Sequence, residues 1–459
     1  MSALLRMSRP RLLATVALCL GLTVAGCTGE DAGTPPSAVA SGSDTTSGAS
    51  GPPMPSPTGR VTLRFAVFGD DAAVEGYRDM AHAFMKDHPD VTVVLEQAPT
   101  SAALVDDLGS GSGPDVFLIE HEQLPALVAN HRVHPVDQLL EARQVNFGDG
   151  FQRAGLEAFS SDSSLQCMPH DVSPLVVYYN RDLVDLRHLA REGEDPVNAE
   201  DGWSWEQFVR AAARAAHGKV KGAYLEPELD ELAPFVWSGG GELVDDREDP
   251  STLTLSDGDS QAAIEQVLTL ARDPQLTPTP AELDRLDAVQ RFRRGRLAMM
   301  LGYRALTPQL RKAERLDFDV MPLPHLGPYR TITDMTGYCI SADTDQLPTA
   351  ADFLAFATGR EGATLTAITG HAVPANLQVA HSPAFIQPGR DPRSSFVFTE
   401  GVRRADWPPL VPPWPQLESS VAPLLERAFY APVIDLDTLL ADIDAASQPI
   451  LAPQDPSAD

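Results

Sequence analysis

The sequence predicts an α/β protein with a parallel, doubly wound sheet, and three observations carry that prediction. From Val61 onward short apolar strands alternate with amphipathic helices, the pattern of βαβ units. Leu175, Val177 and Tyr179 alternate with Val176 and Tyr178, so this stretch is apolar on both faces, as a strand covered on both sides must be. Pro169 and Pro174 stand just upstream, and proline cannot donate to a ladder, so a regular central strand cannot run through both. Either the chain leaves one sheet near Pro169 and enters a second after Pro174, or one strand has an irregular entry.

The first residues stand apart from the fold. Arg6, Arg9 and Arg11 give a basic start, and Leu12 to Val24 is an apolar run too short to span a bilayer as a helix. The run ends in Val24-Ala25-Gly26-Cys27. This resembles the lipobox of bacterial lipoprotein signal peptides, which implies a leader over residues 1–26 and lipid on Cys27. From residue 27 to 60 the chain is mostly Gly, Ser, Thr, Pro and Ala without periodicity, a composition that cannot bury a core and predicts a flexible tether.

The net charge is −29, and loss of the leader arginines makes it more negative still. The globular part has no Lys or Arg cluster, which argues against nucleic acid and anionic lipid as partners. Of four cysteines, Cys19 leaves with the leader and Cys27 is the lipidation candidate. Cys167 and Cys339 remain in an exported chain, where disulfides persist, and are expected to pair; two buried free thiols are the alternative. A bond across so long a loop contributes about 5 kcal/mol in the chain-entropy model.

Element by element, Val61 to Phe68 is a strand ended by Gly69-Asp70-Asp71. Val74, Tyr77, Ala81 and Phe84 lie at helical spacing and His88-Pro89 stops that helix. Val91, Val93 and Leu95 alternate as a strand, and Asp115 to Ile119 is another. Ser204 with Gln207 has the spacing of a capping box, so Trp203 beside it is structural. Leu229 to Trp237 is helical up to Gly239-Gly240-Gly241, and Glu242–Val244 with Thr252–Leu255 has the look of a hairpin. Leu297–Leu301, Val320–Leu323 and Gly337–Ser341 are strands, the last carrying the chain back. A helical pair over 350–358 and 361–369 follows. Then Trp407, Trp414 and their neighbouring prolines form an irregular segment.

No GxxxxGK[ST], HExxH, CxxC or GxSxG is present, and the eleven histidines are scattered. No catalytic constellation, metal site or cofactor is predicted. Binding chemistry is better represented. Ligands of α/β sheets bind beyond the carboxyl ends of strands, which points to Asp70 and Asp71 and to Glu120, His121 and Glu122. Trp237, Tyr303 with Arg304, and Trp414 lie at element ends, where an aromatic face and a few polar groups suit a sugar.

These pieces together resemble bacterial extracellular solute-binding proteins of the sugar-binding class, lipoprotein components of ABC importers. VTLRFAVFGDD, GPDVFLIEHEQL, LQCMPHDVSPLVVYYNRDLV, GWSWEQF, WSGGGELVDD, FRRGRLAMMLGY, MPLP and GYCIS occur in the family's order. The resemblance implies a two-lobed periplasmic-binding-protein-like fold of type II, its lobes joined by hinge strands around a ligand cleft. It implies residues 61–172 plus 338–397 as lobe 1 and 173–337 plus 398–455 as lobe 2. Cys167 and Cys339 would then sit on neighbouring hinge strands. The ligand set it implies is Asp70, Asp71, Glu120, His121, Glu122, Trp237, Tyr303, Arg304 and Trp414. Many members carry tryptophan where this chain has Tyr303-Arg304, so Arg304 points to an anionic or amino-bearing ligand. The implied partners are a carbohydrate, permease subunits and, through lipid, the outer face of the cytoplasmic membrane, with the protein a monomer and no enzyme. Rival readings are an exported glycan hydrolase with paired carboxylates, or a sensor coupled to a membrane kinase.

Overall fold

A computed structural model describes residues 59–108 and 113–452. The leader, Cys27 and nearly all of the tether lie outside them. Two separate main sheets organise the described residues.

In the first sheet Val61–Val67 pairs in parallel with Val91–Gln97 and with Val116–Glu120. The helix Asp71–Asp87 connects the first two, burying Val74, Tyr77, Ala81 and Phe84 as their spacing predicts. Asp70 caps it, accepting from the Ala72 and Ala73 amides at 3.0 Å each. An eleven-residue strand, Thr331–Ser341, runs antiparallel to Val116–Glu120 on one edge and to Met168–Pro174 on the other. The second sheet has the order Phe318–Met321, Val176–Asn180, Leu297–Gly302, Lys221–Tyr224, with only the last pair parallel. Both sheets are therefore mixed rather than purely parallel, because the connecting strands enter against the direction of the βαβ units.

The crossover is real but lies elsewhere than expected. Met168–Pro174 stays in the first sheet through both prolines. Its far side carries only a short bridge to residues 373–375, and the register shifts opposite Thr336 and Gly337, so His170 has no partner on the returning strand. Edge position and a bulge are the two settings in which a strand tolerates proline. Leu175 alone then separates it from Val176–Asn180 of the second sheet. The Leu175 amide donates to Ile332 O at 2.8 Å, and its carbonyl accepts from Thr331 Oγ1 at 2.7 Å. The outgoing and returning strands thus lie side by side.

The return also comes earlier than the expected boundary at 337/338. Thr333 and Asp334 already pair with Pro174 and Ser173 in the first sheet. Conversely Phe385 and Val397, expected with the first lobe, pack with Val176 and Tyr178 of the second sheet. A further passage lies in the proline-rich segment: Trp407 and Leu410 pack against the first core, Val411 and Trp414 in the second. Trp414 opens the helix Trp414–Tyr430, so the irregular stretch ends one residue before it.

Cys167 and Cys339 form a disulfide with their Cα atoms 4.4 Å apart, joining the outgoing and returning strands across 172 residues of chain. In the second lobe Ser204 and Gln207 make the predicted capping box. Trp203 is buried and donates its indole N–H to Pro322 O at 2.9 Å, a structural role as expected. The helix Leu229–Gly239 ends at Gly240, whose φ of 94° is left-handed and suits glycine. The anticipated hairpin shrinks to a single bridge between Val244 and Leu253. No helix among the described residues is long and apolar enough to cross a membrane.

Candidate functional site

The side chains of greatest chemical interest are carboxylates, and they come from both sheets' surroundings. Val116–Glu120 belongs to the first sheet, and the turn His121–Gln123 that follows it presents Glu122. The helix Leu229–Gly239, in the second core, presents Asp230 in its first turn. The helix Trp414–Tyr430, also in the second core, presents Glu418 one turn after Trp414. One oxygen from each of Glu122, Asp230 and Glu418 lies within 4.8 Å of the others. Two full charges at that spacing repel by about 3 to 4 kcal/mol at an effective dielectric near 20.

More acids surround this trio. Asp334, on the returning strand, and Glu228, at the foot of the helix Leu229–Gly239, add negative potential that holds protons on their neighbours. Burial is the first cause of every shift. It lifts Glu122 to about 8, with Asp230, Asp334 and Glu120 adding to the effect. Burial lifts Glu120 to about 7, aided by Asp334, and Asp334 itself to about 6. Burial and then Glu122 raise Glu418 to about 7. Burial and then Glu418 hold Asp230 well above the usual carboxylate range. No ion pair among the described residues reaches any of these five carboxylates. Polar partners are few: Trp414 donates its indole N–H to Glu418 Oε1 at 3.0 Å. Asp230 Oδ1 is shielded from solvent, and the Asp230 and Glu418 carboxyls hydrogen-bond each other, which requires a proton between them. Three carboxyl groups so close together share protons instead of all standing ionised.

The residues expected from sequence divide sharply here. Glu120 and Glu122 stand in the acidic site. Tyr303 faces it: burial and then Asp230, Asp334, Glu231 and Glu122 push its hydroxyl well up, so it stays neutral. Trp414 is buried and serves the site through its bond to Glu418. His121 is buried, and burial lowers it to about 4, leaving it uncharged. Asp70 is engaged as a helix cap and Asp71 is exposed at the same helix start.

Two expectations need correction. Trp237, only 9% exposed, belongs to the apolar core beside Phe235 and Val236 rather than presenting a ring to a ligand. Arg304 is completely buried. Its Nε donates to Gly370 O at 3.0 Å and its Nη1 to Ser395 Oγ at 3.1 Å. Its guanidinium lies over the rings of Phe385 and Phe398, 4.7 and 5.1 Å from their centroids. It braces the second lobe's outer layer, so it offers no charge to an anionic solute.

Sequence reasoning missed Asp230, Asp334 and Glu418. A signal existed for two of them. EPELDEL places four acids around one helix start, more than capping requires, and Asp334 interrupts an otherwise apolar or hydroxyl-bearing strand. Glu418 carried none, being one acid on an amphipathic helix.

Comparison with known proteins adds to this geometry. Residues 79–390 match the model of the family described as "Bacterial extracellular solute-binding protein". A maltotriose-binding protein of Pyrococcus abyssi is 24% identical over 154 residues, 31% of this chain and 33% of that protein. A galactooligosaccharide-binding protein of Bacillus subtilis is 25% identical over 132 residues, 28% of this chain and 30% of that protein. These matches span about a third of each relative. Among solved structures, an ABC substrate-binding protein of Listeria monocytogenes in complex with cycloalternan superposes with a TM-score of 0.74. It is 19% identical, and the alignment covers 85% of this chain and 98% of that one. The α/β periplasmic-binding-protein fold is thereby shared.

Proposed function

The chain belongs to the bacterial extracellular solute-binding protein family, and from that premise we propose that it captures a sugar or related small solute and hands it to the permease of an ABC importer. One observation carries the reading. Glu122 comes from the first sheet and Asp230 and Glu418 from the second core, yet their oxygens meet within 4.8 Å. A solute held there touches both lobes at once, so it favours the closed arrangement over any open one. Tyr303, partly buried beside the acids, supplies an aromatic surface that sugar C–H faces pack on.

The relatives named above are receptors for maltotriose and galactooligosaccharides, which supports an oligosaccharide as the solute class. The sequence Val24-Ala25-Gly26-Cys27, outside the described residues, supports lipid on Cys27 and a tether to the outer face of the cytoplasmic membrane. Binding rather than hydrolysis suits the acids. The Asp230 and Glu418 carboxyls hydrogen-bond each other directly instead of facing across an open groove, where a glycosidic bond would have to lie.

Titration calorimetry of the purified chain against a broad panel of mono- and oligosaccharides tests the receptor reading. A one-site binder is expected; folded protein that stays silent across the panel overturns it. Mass spectrometry of membrane-extracted protein tests the anchor, and Cys27→Ala should release the protein from the membrane.

A further inference from the structure

The sequence shows no basic cluster, yet the fold brings two buried guanidiniums together. Arg304 follows the strand Leu297–Gly302, and Arg311 ends the helix Thr307–Arg311. Both converge on Gly370. Arg304 Nε donates to Gly370 O at 3.0 Å, and a Cβ on Gly370 would lie 2.5 Å from Arg311 Nη1. Only a glycine leaves room there for both cations.

Most of their donors are committed, and every acceptor is neutral. Arg304 Nη1 donates to Ser395 Oγ at 3.1 Å. Arg311 Nε donates to Asp391 O at 2.6 Å and its Nη1 to Gln387 Oε1 at 2.8 Å. The Nη2 of each residue is out of solvent and has no acceptor among the described residues. Neither side chain forms an ion pair among those residues. The acids whose fields reach them are engaged elsewhere. Asp171 accepts from the Val373 amide at 2.6 Å, and burial followed by Asp334 pushes its carboxyl well above the usual range. Asp391 pairs with Arg393 at 3.3 Å. The rings of Phe385 and Phe398 attract Arg304, but a cation–π contact returns only part of the cost of burying an ion. Exposed Arg390 adds a further positive field at Arg311. Buried charges are ordinarily paired, and these two lack a counter-charge.

We propose that a small inorganic anion, a halide such as chloride, is bound between Arg304 and Arg311 with the two Nη2 groups as its donors. It is a structural counter-ion of the second lobe's outer layer, separate from the acidic cleft and from any solute. Two features select a halide over phosphate or sulfate. The cost of stripping water from an ion grows with the square of its charge, which favours a monovalent one. Two free Nη2 groups can grip a single atom, whereas a tetrahedral oxyanion brings four oxygens that all need donors. The ion ties together the turn after Leu297–Gly302, the helix Thr307–Arg311 and the layer from Gly370 to Ser395.

The test uses the full chain at constant ionic strength, with gluconate replaced stepwise by chloride or bromide and, separately, by sulfate or phosphate. The thermal midpoint is expected to rise by about 3 °C with halide and then level off, as one-site binding to the folded state does. Arg311→Gln should lose most of that rise. Crystals grown in bromide should show an anomalous peak within hydrogen-bonding reach of both Nη2 atoms. No anomalous signal at that place, or a halide response in Arg311→Gln equal to that of the unaltered chain, overturns the proposal. A larger rise in phosphate or sulfate than in halide overturns the halide in favour of an oxyanion. The diffraction measurement needs no variant, so it decides the matter even if Arg311→Gln does not fold. None of these outcomes bears on the receptor reading, which stands or falls by solute binding.

Discussion

Glu122 and Asp230 present carboxylate oxygens within 4.8 Å of each other, although one follows a strand of the first sheet and the other opens a helix in the second core. Folding alone does not reward such a pairing. It concentrates like charge in a partly buried place, so it is where the protein's behaviour should be most sensitive to substitution, protons and ligand.

Replacing Asp230 by Asn should raise the stability of the ligand-free protein. Asparagine keeps the shape, is neutral without having to hold a proton, and can donate to Glu418. A gain of about 1 kcal/mol, or about 2 °C in the thermal midpoint, is expected by calorimetry. A fall of several degrees would show instead that the Asp230 charge makes a favourable bond.

The acids also set a pH dependence. Glu122 at about 8 and Glu120 and Glu418 at about 7 all sit above their unfolded values, as do Asp334 at about 6 and Asp230. The folded state therefore binds more protons than the unfolded one between those limits, and stability falls as pH rises. Buried His121 and His371, both lowered to about 4, and His170, lowered further, act in the opposite sense below about 6.5. The acids act unopposed from about pH 6.5 to 8. The thermal midpoint should drop across that window, and Glu122→Gln should flatten the slope. A flat wild-type profile would contradict the crowding.

Arg304→Met should lower stability by about 2 to 3 kcal/mol, because two hydrogen bonds from a charged donor are lost and Asp171 loses a favourable neighbour. Affinity of the remaining folded molecules should change less than about twofold. Urea unfolding with parallel calorimetry separates the two. Lost affinity at unchanged stability would return Arg304 to the ligand set.

Reducing the Cys167–Cys339 bond, or replacing both residues by Ala, should cost at most about 5 kcal/mol in denaturant unfolding. The double variant should unfold at lower urea with its ligand affinity retained when folded. An unchanged urea midpoint would deny the bond a role in stability.

Much of this fold could be read from residues. Period and capping signals are local, so Ser204 with Gln207 and the face Val74-Tyr77-Ala81-Phe84 predicted their own surroundings. Pro169 and Pro174 correctly marked a crossover, but the rule against proline in strands placed its start too early. An edge position and a bulge at His170 depend on which strand lies opposite, and no local signal carries that. The site was less legible for the same reason. Glu120 and Glu122 follow from the carboxyl-end rule, whereas Glu418 joins them only because a helix near the end of the chain packs beside the helix Leu229–Gly239. Arg304 misled because its sequence position fits a binding loop, while its side chain turns inward to Phe385 and Phe398.

Leu175 has a mechanical meaning. It passes between sheets as a lone residue, its amide and carbonyl both tied to the returning strand, while Cys167 and Cys339 rivet the two strands together on the first-lobe side. Two connections fastened this way behave as one ribbon: they can flex together, but neither can lengthen or slide past the other. At this ribbon the lobes are pinned against sliding, and inserting even one residue after Leu175 would turn that pin into a slack cord.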